Sequence, residues 1–251
     1  MMKKQTFGFG LIIVGSEILD GRVEDRHLQN ARRLLAERNL FLRYAVILPD
    51  EPVILEEQLR RALARENPFF CCGGIGATPD DHTRRCAAAA AGVPLKYHEE
   101  AAAILKKRFG PLATPHRLKM VEFPAGALII PNPYNQVPGF SVGDGYFLPG
   151  FPEMAEPMMA WVLDTCYEPG AERIARSLLL PGAREADLAG IMEGFIAAHP
   201  GLSFSSLPRI AGDGWDVMLG VAGPPSAVEE GMRALKSSLS EAGQVFIDEG
   251  K

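Results

Sequence analysis

The chain has 251 residues, 47% of them hydrophobic, and a formal net charge of −5. That size and apolar content support a substantial core, arranged as one large domain plus a small one or as two modest ones. The acidic balance argues against general binding to nucleic acid or to an anionic membrane surface, since both favour basic patches, and no apolar run approaches the roughly 20 residues of a membrane-spanning helix.

A small-molecule ligand is therefore the expected partner, with no nucleic acid and no membrane. Lys3 and Lys4 precede an apolar stretch in the manner of a signal peptide, but Ser16, Glu17 and Asp20 follow without a small-x-small cleavage site. The stretch reads as a first strand, Phe7 to Val14, apolar enough to be buried on both faces and ending in the polar loop Gly15-Ser16-Glu17-Ile18-Leu19-Asp20-Gly21. Leu28, Ala31, Leu34 and Leu35 then mark a helix between Asp25 and Asn39, and Phe41 to Leu48 is the second strand. Asp50 can cap the next helix, which has Pro52 in its first turn and an apolar stripe at Leu55, Leu59, Ala62 and Leu63, and a third strand runs from Pro68 to Cys72. This βαβαβ order implies a parallel sheet with right-handed crossovers. The four cysteines, at 71, 72, 86 and 166, have neither zinc nor CxxC spacing and suit a reducing cytoplasm.

The stretch after the third strand, Cys71 to Thr83, carries the chemistry. Gly73, Gly74 and Gly76 let the backbone turn sharply and leave N–H groups bare, and Thr78, Pro79 and Asp81 fit the N-cap, N1 and N3 positions of a capping box. A helix is expected to begin there, making a ready anion site at its N-terminus. Asp80 and Asp81 would repel a phosphate unless a divalent cation lay between them, so metal-bridged phosphate is one reading and simple capping by first-turn acids the other. The P-loop ending and the dinucleotide fingerprint are both missing.

Further along, Thr83 to Ala91 and His98 to Phe109 read as helices, Thr114 to Val121 as a short basic piece, and Ala127 to Ile130 and Tyr146 to Leu148 as strands. A second strand-to-helix turn follows, Leu148-Pro149-Gly150-Phe151-Pro152-Glu153-Met154, whose helix packs through Met158, Val162 and Leu163. In an open parallel sheet ligands gather outside the carboxyl ends of the strands, where the loops 15–21, 73–81 and 149–153 all fall. Trp161 and the methionines at 154, 158 and 159 share helical spacing and read as core. After a linker at Glu168-Pro169-Gly170 the order is strand 174–180, helix 185–199, strands 202–207 and 215–221, helix 226–242 and strand 244–247, a ferredoxin-like βαββαβ unit. Its seven Lys and Arg against eleven Asp and Glu disfavour RNA, and a packing or dimerisation role is expected.

Residues 7 to 165 resemble the MoaB/Mog-type molybdopterin-binding domain, in the branch found at the N-terminal part of the competence/damage-inducible protein CinA. Three motifs carry the resemblance in order: Gly15-Ser16-Glu17-Ile18-Leu19 with Gly21-Arg22 and Asp25; Gly73-Gly74-Ile75-Gly76 with Thr78-Pro79-Asp80-Asp81 and Thr83; and Leu148 to Met154. The departures are Ala77 where a proline is usual, Cys71 and Cys72 in place of hydroxyl residues, and His27 in place of an asparagine. The resemblance implies an α/β fold, a three-layer α/β/α arrangement on a mostly parallel sheet over residues 1–167, with a small ferredoxin-like α+β domain over 168–251. It implies binding of a phosphate-bearing pterin such as molybdopterin, or of an adenine nucleotide. It also implies hydrolysis of a phosphoanhydride of the ADP-ribose or FAD type with a divalent metal, magnesium or similar, held by Asp80 and Asp81. The alternative it leaves is a non-catalytic molybdopterin-binding protein. The expected ligand-binding residues are Gly15, Ser16, Glu17, Gly73, Gly74, Gly76, Thr78, Pro149, Gly150 and Glu153, with a cytoplasmic homo-oligomer, a dimer, as the assembly. Glu17 and Glu153 are further candidate metal ligands; Arg22, Arg84 and Lys119 read as a solvated face able to meet phosphate, and His27 and His82 as histidines without a visible partner. The amidohydrolase domain that ends full CinA has no counterpart in the sequence, so nicotinamide-nucleotide deamidation is not expected.

Overall fold

The computed structural model describes residues 3–249 apart from Phe7, Glu66 and Asp213, so the expected first residue of strand one lies outside the described residues. The chain divides into two compact units between Gly170 and Ala171. Residues 168–170 go with the first unit because Glu168 N–H donates to the Lys4 carbonyl and Gly170 N–H to that of Arg38.

In the first unit, β1 (Gly8–Val14), β2 (Phe41–Leu48) and β3 (Phe69–Cys72) alternate with α2 (His27–Ala36) and α3 (Pro52–Leu63), after a single turn α1 (Ser16–Leu19). Next come α4 (Thr83–Ala90), β4 (Leu95–Tyr97), α5 (Glu99–Phe109), α6 (Pro115–Leu118), β5 (Glu122–Pro124), β6 (Leu128–Ile130), β7 (Gly139–Val142), β8 (Gly145–Leu148) and α7 (Pro152–Cys166). The main sheet runs β2-β1-β3-β8-β7-β6. Its β2, β1, β3 and β8 are parallel, while β7 and β6 pair antiparallel and make the sheet mixed. The hairpin strand β7 and the small antiparallel ribbon of β4 and β5 were too short to show a period in the sequence.

Strand alternation sends one set of side chains to each face. Phe9, Leu11, Ile13, Phe70, Cys72 and Leu148 meet α2 and α7, whereas Ile12, Val14, Phe69, Cys71 and Phe147 meet α3, α4 and α5. Both faces are therefore sealed, which is why β1 and β3 are unbroken apolar runs and why the layers are α/β/α. The parallel order of β2, β1, β3 and β8 puts the loops 49–51, 15–21, 73–82 and 149–151 at one edge of the sheet.

The second unit runs β9 (Ile174–Leu180), α8 (Glu185–Ala198), β10 (Ser203–Ala211), β11 (Gly214–Gly223), α9 (Pro225–Glu241) and β12 (Ile247–Asp248). Its antiparallel sheet has the order β10-β11-β9-β12, the ferredoxin-like arrangement. A single core of Leu178, Leu180, Val217, Leu219 and Val221 is closed by α8 and α9.

Candidate functional site

The focal loop does not fold as a capping box. The helix α4 starts at Thr83, four residues later than Pro79, and no side chain caps it. Asp81 is the stronger acceptor and takes the loop's donors: its Oδ1 accepts the Gly76 N–H at 2.9 Å, and its Oδ2 accepts the Thr78 N–H at 2.7 Å and the Thr78 hydroxyl. Thr78 thus donates to Asp81 instead of capping, because charge-assisted bonds to a carboxylate outweigh a hydroxyl cap. Thr83 closes the other end, its hydroxyl donating to the Gly73 carbonyl at 2.8 Å and its N–H to that of Gly74 at 2.9 Å. Gly73 and Gly74 have φ of 108° and 67°; a Cβ on Gly73 would overlap the Val14 carbonyl and one on Gly74 the Thr83 hydroxyl.

Arg84 is buried behind this loop and not on a solvated face. Its guanidinium donates to the carbonyls of Ile75 (3.1 Å), Gly76 (2.6 Å) and Lys119, tying the loop to residues 119–122. Desolvation lowers its pKa from the ordinary arginine value. Among the described residues the amides of Gly74, Ile75 and Ala77 find no protein acceptor, so the loop offers N–H groups backed by a buried positive charge.

The loops enclose a cavity of about 450 Å³. Of the expected site residues it brings together Glu17, Gly73, Gly74, Gly76, Thr78, Asp80, Asp81, Pro149 and Gly150; Gly15, Ser16 and Glu153 do not line it. Ser16 instead locks the two neighbouring loops, its N–H donating to Asp50 Oδ2 at 2.8 Å while its hydroxyl accepts from the Asp50 N–H at 3.0 Å. Glu153 is paired with Arg26 at 2.9 Å on an exposed surface. Arg22 is likewise exposed, on Asp20. Asp80 is exposed at the cavity; the Thr78 hydroxyl, its own backbone N–H and His82 hold it below the usual carboxylate range. One hydroxyl carries one proton, and Asp81 is its bonded acceptor, so Asp80 has the lesser share.

Sequence reasoning missed Asp50, which lines the cavity and does not cap α3, whose N-cap is Glu51. It also missed the wall built by Met120, Asn135, Val137, Phe151 and Met154. Met154 is half-buried there, and Trp161 is 37% exposed, so neither is core, whereas Met158 and Met159 are. His27 is buried with Nδ1 3.0 Å from Asp25 Oδ1 and does not line the cavity; His82 Nδ1 lies 3.4 Å from Arg85. Among the described residues no three His, Cys, Asp or Glu side chains converge as a metal site, and no helix is long and apolar enough to cross a membrane.

An α/β/α unit with a glycine loop at the carboxyl edge of its sheet is the arrangement of a ligand-binding domain. The family model described as "Probable molybdopterin binding domain" matches residues 10–168. A Pyrobaculum arsenaticum protein is 32% identical over 213 residues, 80% of each chain. A CinA-like protein of Anaeromyxobacter is 35% identical over 161 residues, which are 61% of this chain and 40% of that protein, so the match spans well under half of that relative. The solved structure of the protein CinA, of unknown function, from Thermoplasma acidophilum has 30% identity and a TM-score of 0.57, covering 62% of this chain and 97% of that one. The chain belongs to the molybdopterin-binding domain family of MoaB/Mog type and is CinA-like.

Proposed function

We propose that the cavity binds a phosphoanhydride together with a divalent cation and hydrolyses it, the substrate being a nucleotide diphosphate derivative of the ADP-ribose or FAD type. One observation carries this reading: Glu17, Asp50, Asp80 and Asp81 line the cavity and, among the described residues, no Lys, Arg or His does, although the glycine-loop amides there suit an anion. Four carboxylates beside a pyrophosphate call for a counter-cation. The donor set fits magnesium: it is all oxygen, and a hard cation takes one or two carboxylates and fills its shell with water and phosphate oxygens. Asp80 is the free ligand, because Asp81 is engaged in folding the loop, and Glu17 and Asp50 line the same cavity. When bound, the ion supplies counter-charge to the phosphates and lowers the barrier to attack by water. The Gly74, Ile75 and Ala77 amides hold phosphate oxygens and the charge that develops on them, and the Ser16–Asp50 bonds fix the two loops that carry Glu17 and Asp50.

Asp80→Asn is the clean test, since the bonded acceptor of the loop's donors is Asp81. It is expected to leave the melting temperature unchanged, to abolish magnesium-dependent turnover of ADP-ribose and FAD, and to bind sulfate at least as well as the wild type. Asp81→Asn keeps only one acceptor oxygen for three donors and is expected to cost about 1–2 kcal/mol of stability. Equal turnover and equal magnesium dependence in wild type and Asp80→Asn would overturn the assignment. Tight binding of a pterin phosphate by a wild type without turnover would establish a binding protein instead.

A further inference from the structure

The cavity wall opposite in kind to the glycine loop is apolar apart from one amide, that of Asn135. The loop that carries it is prearranged. Asn132 is buried, its Oδ1 accepts the N–H groups of Tyr134 (3.0 Å) and Asn135 (3.4 Å), its carbonyl accepts the Gln136 N–H at 2.9 Å, and Gln136 holds a φ of 63°. Asn135 Oδ1 then accepts the Val137 N–H at 2.9 Å. That bond fixes the carboxamide, because a flipped amide would set N–H against N–H. Its Nδ2 is left facing Met154 Sδ at 3.3 Å, and a thioether is a weak acceptor. A polar donor parked on sulfur in a ligand cavity gives up little when a better acceptor arrives. Phe151, 63% exposed, presents an aromatic surface at the rim, and Met120, Val137 and Met154 complete an apolar lining. The two linings adjoin, since a Cβ on Gly150 would touch the Gly73 Cα at 3.4 Å.

We infer that Asn135 is a specificity-determining residue: its amide N–H donates to an acceptor on the edge of a planar heterocycle seated against Met154 and Phe151, so the site selects phosphoanhydrides whose ring presents a carbonyl there and disfavours rings that present an amino group. This rests on the proposed anion-binding reading of the same cavity and narrows it: of the two substrate types, FAD, whose flavin ring carries carbonyl oxygens, is selected over ADP-ribose, whose adenine carries an amino group. Flat rings suit such a wall because stacking on an aromatic face and contact with methionine sulfur and methyl groups both reward planar, polarisable surface.

The probes are magnesium pyrophosphate, which has no ring, and magnesium ADP and IDP, which exchange an amino donor for a carbonyl acceptor on one ring carbon while the adjacent ring nitrogen changes from acceptor to N–H donor. Dissociation constants are measured by calorimetry for the wild type, Asn135→Leu and Asn135→Asp. Asn135→Asp retains an acceptor for the Val137 N–H and so holds the loop, which a melting curve checks. Wild type is expected to prefer IDP, Asn135→Leu to lose about tenfold for IDP, and Asn135→Asp to shift the ADP-to-IDP preference about tenfold towards ADP, all with pyrophosphate changed less than twofold. An unchanged preference in Asn135→Asp and unchanged IDP binding in Asn135→Leu overturn the role of Asn135. Failure of wild type to bind magnesium pyrophosphate overturns the anion reading alone, while the nucleotide ratios still judge Asn135. Absence of binding to any probe at millimolar concentration overturns both.

Discussion

The two units solve the same problem, covering a sheet, in opposite ways. In the first, helices seal both faces, and the strands β1 and β3 are buried at every position. In the second, α8 and α9 close one face only. Register places Leu207, Met218, Leu179 and Ile247 in one row across all four strands of the other face, where Leu207 is 54% and Ile247 52% exposed. A sheet sealed on both sides has only its strand ends left for ligands, and the first unit puts its cavity there. The buried thiols fall on the same side: all four cysteines of the chain lie before residue 171, with Cys71, Cys72 and Cys86 buried, and the second unit has none.

That asymmetry sets the largest expected difference. Burial pushes the Cys71 and Cys72 thiols well above the ordinary thiol range. A thiol whose pKa rises on folding ionises first in the unfolded chain, so its stabilising contribution is full below about pH 8.5 and is lost as the pH climbs towards the folded value. At pH 10 each thiol forfeits about 2 kcal/mol, so the first unit is expected to lose about 4 kcal/mol relative to pH 8. Urea unfolding followed by Trp161 in a Trp215→Phe chain, and by Trp215 in a Trp161→Phe chain, reads the units separately. Equal losses in both would break the contrast.

Core truncation comes next. Leu219, fully buried beneath α8 and α9, is expected to cost the second unit about 3 kcal/mol as Leu219→Ala. Urea midpoints read from Trp215 check it, and a loss below 1 kcal/mol would mean that this core is loosely packed.

What was legible in the sequence follows the same division. The sealed strands β1 and β3 stood out as apolar runs between turn residues, the edge strand β2 as a mostly apolar stretch, and the carboxyl-edge loops followed from the parallel order alone. The ferredoxin-like order was visible because its helices are long and its strands alternate. The hairpin strand β7 has four residues and the ribbon strands β4 and β5 three each, too few for a period. Within the site, the glycines and paired acids were legible as types, but their roles were not. A capping-box pattern cannot show that Asp81 folds backwards onto Gly76 and Thr78, nor that Arg84 turns inward to four carbonyls. Asp50 and Asn135 reach the cavity from loops distant in sequence, and no local spacing announces them.

The smallest expected effect lies on the open face of the second sheet. Leu207 and Ile247 sit at the two edge strands, in register across β11 and β9 with Met218 and Leu179, and each is more than half exposed. A side chain that keeps half its surface in water gives up little on truncation, because the transfer term scales with the area removed from water and no cavity is left behind. Leu207→Ser and Ile247→Ser should therefore each change the stability of the second unit by about 0.5 kcal/mol or less, within the range of ordinary surface substitutions. Leu219, one strand away on the opposite face, is the internal control for the same measurement. The comparison breaks if either serine variant costs more than about 1.5 kcal/mol and the loss grows with protein concentration. That outcome would mean the row is covered in solution by a second copy of the chain, since only association makes stability depend on concentration. A small loss at every concentration leaves the second sheet sealed on one face alone, as the first is on two.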